Sequence, residues 1–425
     1  MSKTKLSPMV LLYLAAMALP VRYSVGSVQM TGLRTIMATM FIPLLVIYFR
    51  TPNRAGRATD VLLTLFICWA AVAFSQTSPS HAIENTGVLM LEMLGGYLVG
   101  RCLIRSPDEM IAAIKAIFLI SAISLPLAIF ESQTGVPPLI ALINAVPAIN
   151  SVTAISIEPR LGLERAQVLF AHPIHYGLFG STLTALALLG TIGRWSVWIR
   201  FLAAACGIFA SFLALSSGAF LSVLLQLFLI TWALVFPTSR KRWVLLAATC
   251  ICAYVFVDIA SNRSPVRVFF SYATFSAHNA YWRGIIFEWG VLNVWQNPIF
   301  GIGLNDWVRP HFMRSGSMDN FWLVLAVRYG VPGFALCVSA YLLGLFRVMF
   351  SSVSPELQQI RRAWVICFIG LTFTLCTVHI WTSVFSYVWF LYGAGLWLIN
   401  PNSKATEAAP KRSAVRYTRF PAVPA

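Results

Sequence analysis

Charge is what this 425-residue chain has least of. Asp, Glu, Lys and Arg make up 11% of it, against 58% hydrophobic residues and a mean hydropathy of +0.76. A soluble domain carries roughly 25% charged residues, so the composition excludes a soluble protein and leaves no separate soluble domain of any size. Acidic residues are scarcest, 14 against 31 Lys and Arg, for a net charge of +17. In a chain of long apolar runs that excess reads as membrane topology, because Lys and Arg accumulate in cytoplasmic loops; no nucleic-acid partner is expected. All eight cysteines (Cys68, Cys102, Cys206, Cys250, Cys252, Cys337, Cys367 and Cys376) fall in or beside apolar runs. None lies in a predicted external loop, which argues against structural disulfides. Internal repeats and low-complexity segments are absent. The Gly301-Ile302-Gly303 turn follows no strand, so it is a poor nucleotide-binding loop and a better place for close backbone approach.

What is present is a series of apolar runs of about 20 residues, the length of a membrane span. They fall near 8–24, 32–49, 60–76, 83–104, 110–130, 173–192, 196–214, 217–236, 243–258, 321–349, 363–383 and 386–400. The fold class is all-α: a polytopic membrane protein of about twelve helices, one domain over residues 1–400. The first run follows Lys3 and Lys5 but lacks a small-residue cleavage pattern, so it is a retained helix. The run at 321–349 is too long for one simple crossing, and Gly330-Val331-Pro332-Gly333 predicts a break inside it. Basic residues favour the side holding both termini by about two to one, which makes that side cytoplasmic. Segments 131–172 and 259–320 then face outward, to the periplasm in a bacterium. Within the second, "NAYWRGIIFEWGVLNVWQNP" has the pattern of a helix lying in the interface. Residues 401–425 form a basic, disordered cytoplasmic tail.

The outward segments hold the candidate chemistry. In 259–320 lie Arg263, Arg267, Arg283, Arg309 and Arg314, with His278 and His311. In "EPRLGLERAQVLFAHPIHYG", Arg160, Arg165, His172 and His175 gather at the outer end of the sixth span. Arginine forks bind phosphate oxygens bidentately; the same residues suit anchoring to lipid headgroups. His172 and His175 share a helical face without a carboxylate ligand pattern, which makes a weak metal site, and none is assigned. Arg283, among Trp282, Ile285, Ile286 and Trp289, is either stacked on aromatics or directed at an anion. Asp319-Asn320 precedes the tenth span, where either residue suits a helix N-cap and Asp319 suits a general base. Arg328, two turns on, suits the same cavity. Glu84 and Glu92 are costly to bury in the fourth span, with no partner evident from sequence.

These residues resemble the O-antigen ligase and polysaccharide polymerase superfamily of bacterial membrane glycosyltransferases. Three stretches carry the resemblance: "RAQVLFAHPIHYG", "LALSSGAFLSVLLQ", and "RGIIFEWGVLNVWQNPIFGIGLNDW" running into "DNFWLVLAVRYGVPG". The family elements match Arg283, Asn297-Pro298, Gly301 and Gly303, Asp319-Asn320, and Gly330 with Gly333. The resemblance implies a glycosyltransferase C-type fold in the inner membrane, without cofactor or metal. It implies an undecaprenyl pyrophosphate-linked oligosaccharide donor and a glycan acceptor at the periplasmic face, with chain-length regulators and export proteins as further partners. The pyrophosphate role maps best onto Arg165 and Arg283, then Arg160. Asp319 stands where ligases often carry histidine, which points to a polymerase; the alternatives are a ligase acting on lipid A-core and a lipid-linked glycan transporter. His172, His175, His311, Asn320 and Arg328 are expected around the substrate. A transporter should show paired halves with matching broken helices, and no such symmetry is visible.

Overall fold

The structure, a computed structural model, describes residues 6–401 apart from 27, 52–54, 148, 238–240, 263–267, 269–276 and 314. Arg263, Arg267, Arg314 and the tail beyond 401 therefore lie outside the described residues, as does the side chain of His278. The chain is mostly helical. The helices are α1 (Pro8–Ala18), α2 (Gly32–Arg50), α3 (Arg57–Thr77), α4 (Pro79–Leu103), α5 (Pro107–Thr134), α6 (Pro138–Asn144), α7 (Pro173–Leu188), α8 (Val197–Leu213), α9 (Ser217–Val235), α10 (Arg242–Ala260), α11 (Ala277–Gln296), α12 (Phe321–Met349), α13 (Pro355–Leu375) and α14 (Thr382–Ile399). Eight of them, α2–α5, α9, α10, α12 and α14, are long and apolar enough to cross a membrane. This is a multi-pass membrane protein. Each predicted span falls on a helix, and α6 and α11 lie in the two segments expected to face outward.

Three boundaries differ from the sequence expectation. The first helix stops at Ala18, and residues that extended the first apolar run form a hairpin of β1 (Val21–Val25) and β2 (Val28–Thr31). A short β3 (Asn150–Ser151) adds to β1, giving the order β2-β1-β3. The fifth helix runs to Thr134, where Gly135 closes it in the left-handed region at φ 74°. The penultimate helix is Pro355–Leu375 and not 363–383, so residues 376–381 become the turn into α14. That correction moves His379 and Trp381 out of a span.

Small residues let the helices approach. A Cβ on Gly180 would lie 2.6 Å from the Gly207 carbonyl oxygen, so α7 and α8 cross at backbone distance; α4 and α14 meet similarly at Gly100, where a Cβ would stand 2.1 Å from the Phe390 carbonyl. Membrane helix interfaces favour such residues because lipid leaves packing as a main attraction. At the end where α3 begins, Arg101 donates to Asp60 at 3.0 and 3.1 Å, and Tyr48 adds a bond of 2.8 Å. Arg101 is thus a buried structural tie. Glu92 also finds a partner: Arg34 Nε donates to it at 2.9 Å across α2 and α4, at a π-helical turn, Met90–Gly95. Glu84 is exposed.

The opposite end carries the two segments expected to face outward. Pro332 lacks the N–H that would bond the Arg328 carbonyl within α12, and Gly330 turns to φ 69°, ψ 179°. The carbonyls of Val327 and Arg328 are taken instead by the N–H groups of Ile302 (2.8 Å) and Gly303 (3.1 Å), while Val331 N–H donates to the Pro298 carbonyl (2.8 Å). The Asn297–Gly303 turn is therefore a clamp on the broken helix. It is pinned further by Asn293, whose side chain exchanges bonds of 2.8 and 2.9 Å with the backbone of Val308.

Candidate functional site

Four predicted residues meet at this end. Arg160 and Arg165 are held at the C-terminus of α8, where free carbonyls and the helix dipole favour cations. Arg160 Nη1 donates to the Leu215 carbonyl at 2.7 Å, Arg165 Nε to the Ala214 carbonyl at 3.4 Å, and the backbone N–H of Ala166 to Leu213 at 3.1 Å. This explains the "LALSSGAF" stretch: it ends a helix so that its carbonyls grip the arginine loop. Arg283 comes from α11, which packs against the start of α12 where Leu323 sits over Gly290. Asp319 immediately precedes that start.

Their charges act on one another. Burial pulls the Arg165 guanidinium down to about 10; Arg160 pushes the same way and the Asp319 carboxylate opposes. Arg283 is lowered by burial, with Asp319 raising and Arg160 lowering it. Arg160 is lowered by burial too, with Glu158 opposing. Arg165 and Arg283 thus face Asp319, Arg160 adjoins both with Glu158 beside it, and neither the three arginines nor Asp319 forms an ion pair among the described residues. Such an excess is costly in a partly desolvated place unless an anion completes it. Nor does any ring stack on Arg283 among the described residues, so of its two sequence readings the anion is the one the surroundings favour.

Asp319 and Asn320 separate cleanly. Asn320 is the N-cap, its side chain accepting from Leu323 N–H at 3.1 Å. Asp319 is half-buried and accepts from the Ser317 hydroxyl at 2.8 Å, which leaves acceptor capacity unspent.

An aromatic and histidine group adjoins the arginines. His172 caps α7 through Nδ1, accepting from Ile174 N–H at 3.1 Å, and burial with the nearby Arg165 lowers its imidazole to about 4. His175 is fully buried, with the Trp381 ring 4.1 Å away, and Trp381 also packs on His172 (5.8 Å) and His379 (5.7 Å). Burial first, then Arg328, lowers His379 to about 3. Arg328 is exposed and joins the group through His379. His311 is exposed, and its ring contact is Phe312, which itself packs on Trp282 beside Arg283. Arg309 is paired with Asp306 at 2.5 Å. Among the described residues no three His, Cys, Asp or Glu side chains gather at metal-holding distance.

His379 and Trp381 went unnoticed in the sequence because "LCTVHIWTSVFSY" is continuous with two apolar runs. The one available signal was a histidine at apparent membrane depth, where a polar residue is expensive.

Comparison with known proteins adds a family. Residues 202–338 match a family model described as O-antigen ligase. The matched stretch holds Arg283, His311, Asp319, Asn320 and Arg328, and leaves out Arg160, Arg165, His172 and His175. No curated protein matches the chain. Members of the family are membrane enzymes that transfer glycans, as ligases or polymerases. From α8 into the first half of α12, the chain carries an O-antigen ligase family domain.

Proposed function

We propose that the protein is a polysaccharide polymerase, a glycosyltransferase of C-type fold in the bacterial inner membrane. It moves glycan from undecaprenyl pyrophosphate to an acceptor sugar hydroxyl at the periplasmic face. The observation that carries the reading is Arg165 and Arg283 beside Asp319, with Arg160 next to both, none of them ion-paired among the described residues. A lipid-carried pyrophosphate supplies the anion that such a set requires.

In this reading the acceptor oxygen attacks the anomeric carbon, and the bond from that carbon to the pyrophosphate oxygen breaks. The leaving group departs with the electron pair, and the arginines stabilise its growing charge, as preorganised donors do in other transferases. The acceptor proton passes to the Asp319 carboxylate. Pyrophosphate is already a good leaving group, so no acid is required on that side. The neutral His172 contributes an uncharged wall and leaves the arginines as the local charge.

The lipid-linked glycan pool of a deletion strain tests this. Single unpolymerised repeats on the carrier are the expected result. Long chains left on the carrier would assign ligation instead, and an unchanged pool would remove both.

A further inference from the structure

A cavity of about 190 Å³ has Arg165 in its wall, and Glu131, Ser156, Glu164 and Gln167 bring further polar groups to a lining otherwise made of Gly, Pro, Ala and Ile. Two of its lining side chains are tied to the backbone. The Gln167 amide accepts from Ile155 N–H and donates to the carbonyls of Thr153 and Phe170. Glu131 takes one backbone N–H on each oxygen, from Gln167 at 2.9 Å and Val168 at 3.0 Å. These bonds hold the strained turn at Val168 (φ 46°) and make a fixed floor.

Glu164 is different. Its backbone is anchored by a 2.8 Å bond from its N–H to the Ser132 carbonyl. Its carboxylate is half-buried, lines the cavity, and has no hydrogen-bond or ion-pair partner among the described residues. On the facing segment the N–H groups of Ala154, Ser156 and Ile157 make no hydrogen bond among the described residues either. An acceptor-only carboxylate, free backbone donors and the Ser156 hydroxyl suit a ligand with many hydroxyls. The space is about that of one pyranose ring. An isoprenyl chain would leave Ser156, Glu164 and the free backbone donors facing hydrocarbon, and a further phosphate would be repelled by Glu164.

We propose that this cavity holds the first sugar of the donor, the one bonded directly to the pyrophosphate, and that Glu164 selects it by accepting hydrogen bonds from its hydroxyl or amide groups. The proposal rests on the reading of Arg165 as a pyrophosphate ligand: a pocket that shares that residue adjoins the bond from the pyrophosphate to its sugar.

The test is binding to the full chain in lipid nanodiscs with two probes. One is undecaprenyl pyrophosphate without sugar; the other is the lipid-linked repeat unit from the deletion strain. Wild type should bind both, the glycosylated probe more tightly. Glu164→Ala should weaken the glycosylated probe about 10- to 100-fold and leave the bare carrier unchanged. Ser156→Trp, which fills the cavity from an exposed position, should do the same. Unchanged binding of the glycosylated probe in both variants, or equal losses for both probes, would overturn the sugar pocket and leave the transferase reading standing. Failure of wild type to bind either probe would sink both.

Discussion

Asp319 is a half-buried carboxylate that its neighbour has relieved of structural duty. Asn320 supplies the helix cap, so a change at Asp319 does not uncap α12. Asp319→Asn keeps shape and loses basicity. It is expected to lower transfer by about 10²- to 10⁴-fold, the range for a general base, with normal membrane yield. An active Asp319→Asn enzyme in a purified assay would remove the base. The histidines carry a pH dependence of stability. His172 titrates at about 4 and His379 at about 3 in the folded chain, below the ordinary value of about 6.5. At pH 7 both are neutral, folded or unfolded. Below pH 6.5 the unfolded chain takes up protons that the folded chain refuses, so stability is present above that pH and is lost as pH falls toward 4 and then 3. The Tm in detergent should drop across this window, and a His172→Gln, His379→Gln double variant should flatten the drop. An equally steep fall in the variant would contradict the assignment.

At the scale of elements, the break in α12 and the turn that clamps it form one unit. Gly330 lies in the left-handed region, and a Cβ there would stand 2.0 Å from the Ile299 carbonyl oxygen. Gly303 is equally confined, 2.1 Å from the Thr77 hydroxyl. Gly330→Ala should destabilise the protein by at least about 1–3 kcal/mol through backbone strain alone, with the clash added, read as a lowered Tm. A Tm equal to wild type would mean that the clamp yields. This break was legible in the sequence, because Gly and Pro announce it by their own stereochemistry. The hairpin at 21–31 was not. Val21, Tyr23 and Val25 alternate with polar residues, but they adjoin an apolar helix, and hydropathy alone fused the two. The turn at 376–381 was hidden for a related reason: it contains neither Gly nor Pro, so two apolar helices read as one run with an uncertain division.

Across the whole molecule, the sequence named Arg160, Arg165, Arg283 and Asp319 but held no information on how segments more than a hundred residues apart would meet. Helix packing decides that. The α8 terminus presents Arg160 and Arg165, α11 presents Arg283, and the approach to α12 presents Asp319. His311 is exposed and reaches the neighbourhood of Arg283 only through Phe312 and Trp282. In the proposed function this assembly holds the pyrophosphate of a lipid-linked donor. The most direct measurement is glycan transfer by purified protein in nanodiscs, supplied with its lipid-linked repeat unit, for wild type, Arg165→Lys, Arg165→Ala and Arg283→Ala. Each alanine variant should lose about 10²- to 10³-fold in rate, and lysine should not rescue Arg165 because it lacks the bidentate fork. Wild-type rates in Arg165→Ala and Arg283→Ala would contradict the account and return these arginines to anchoring lipid headgroups.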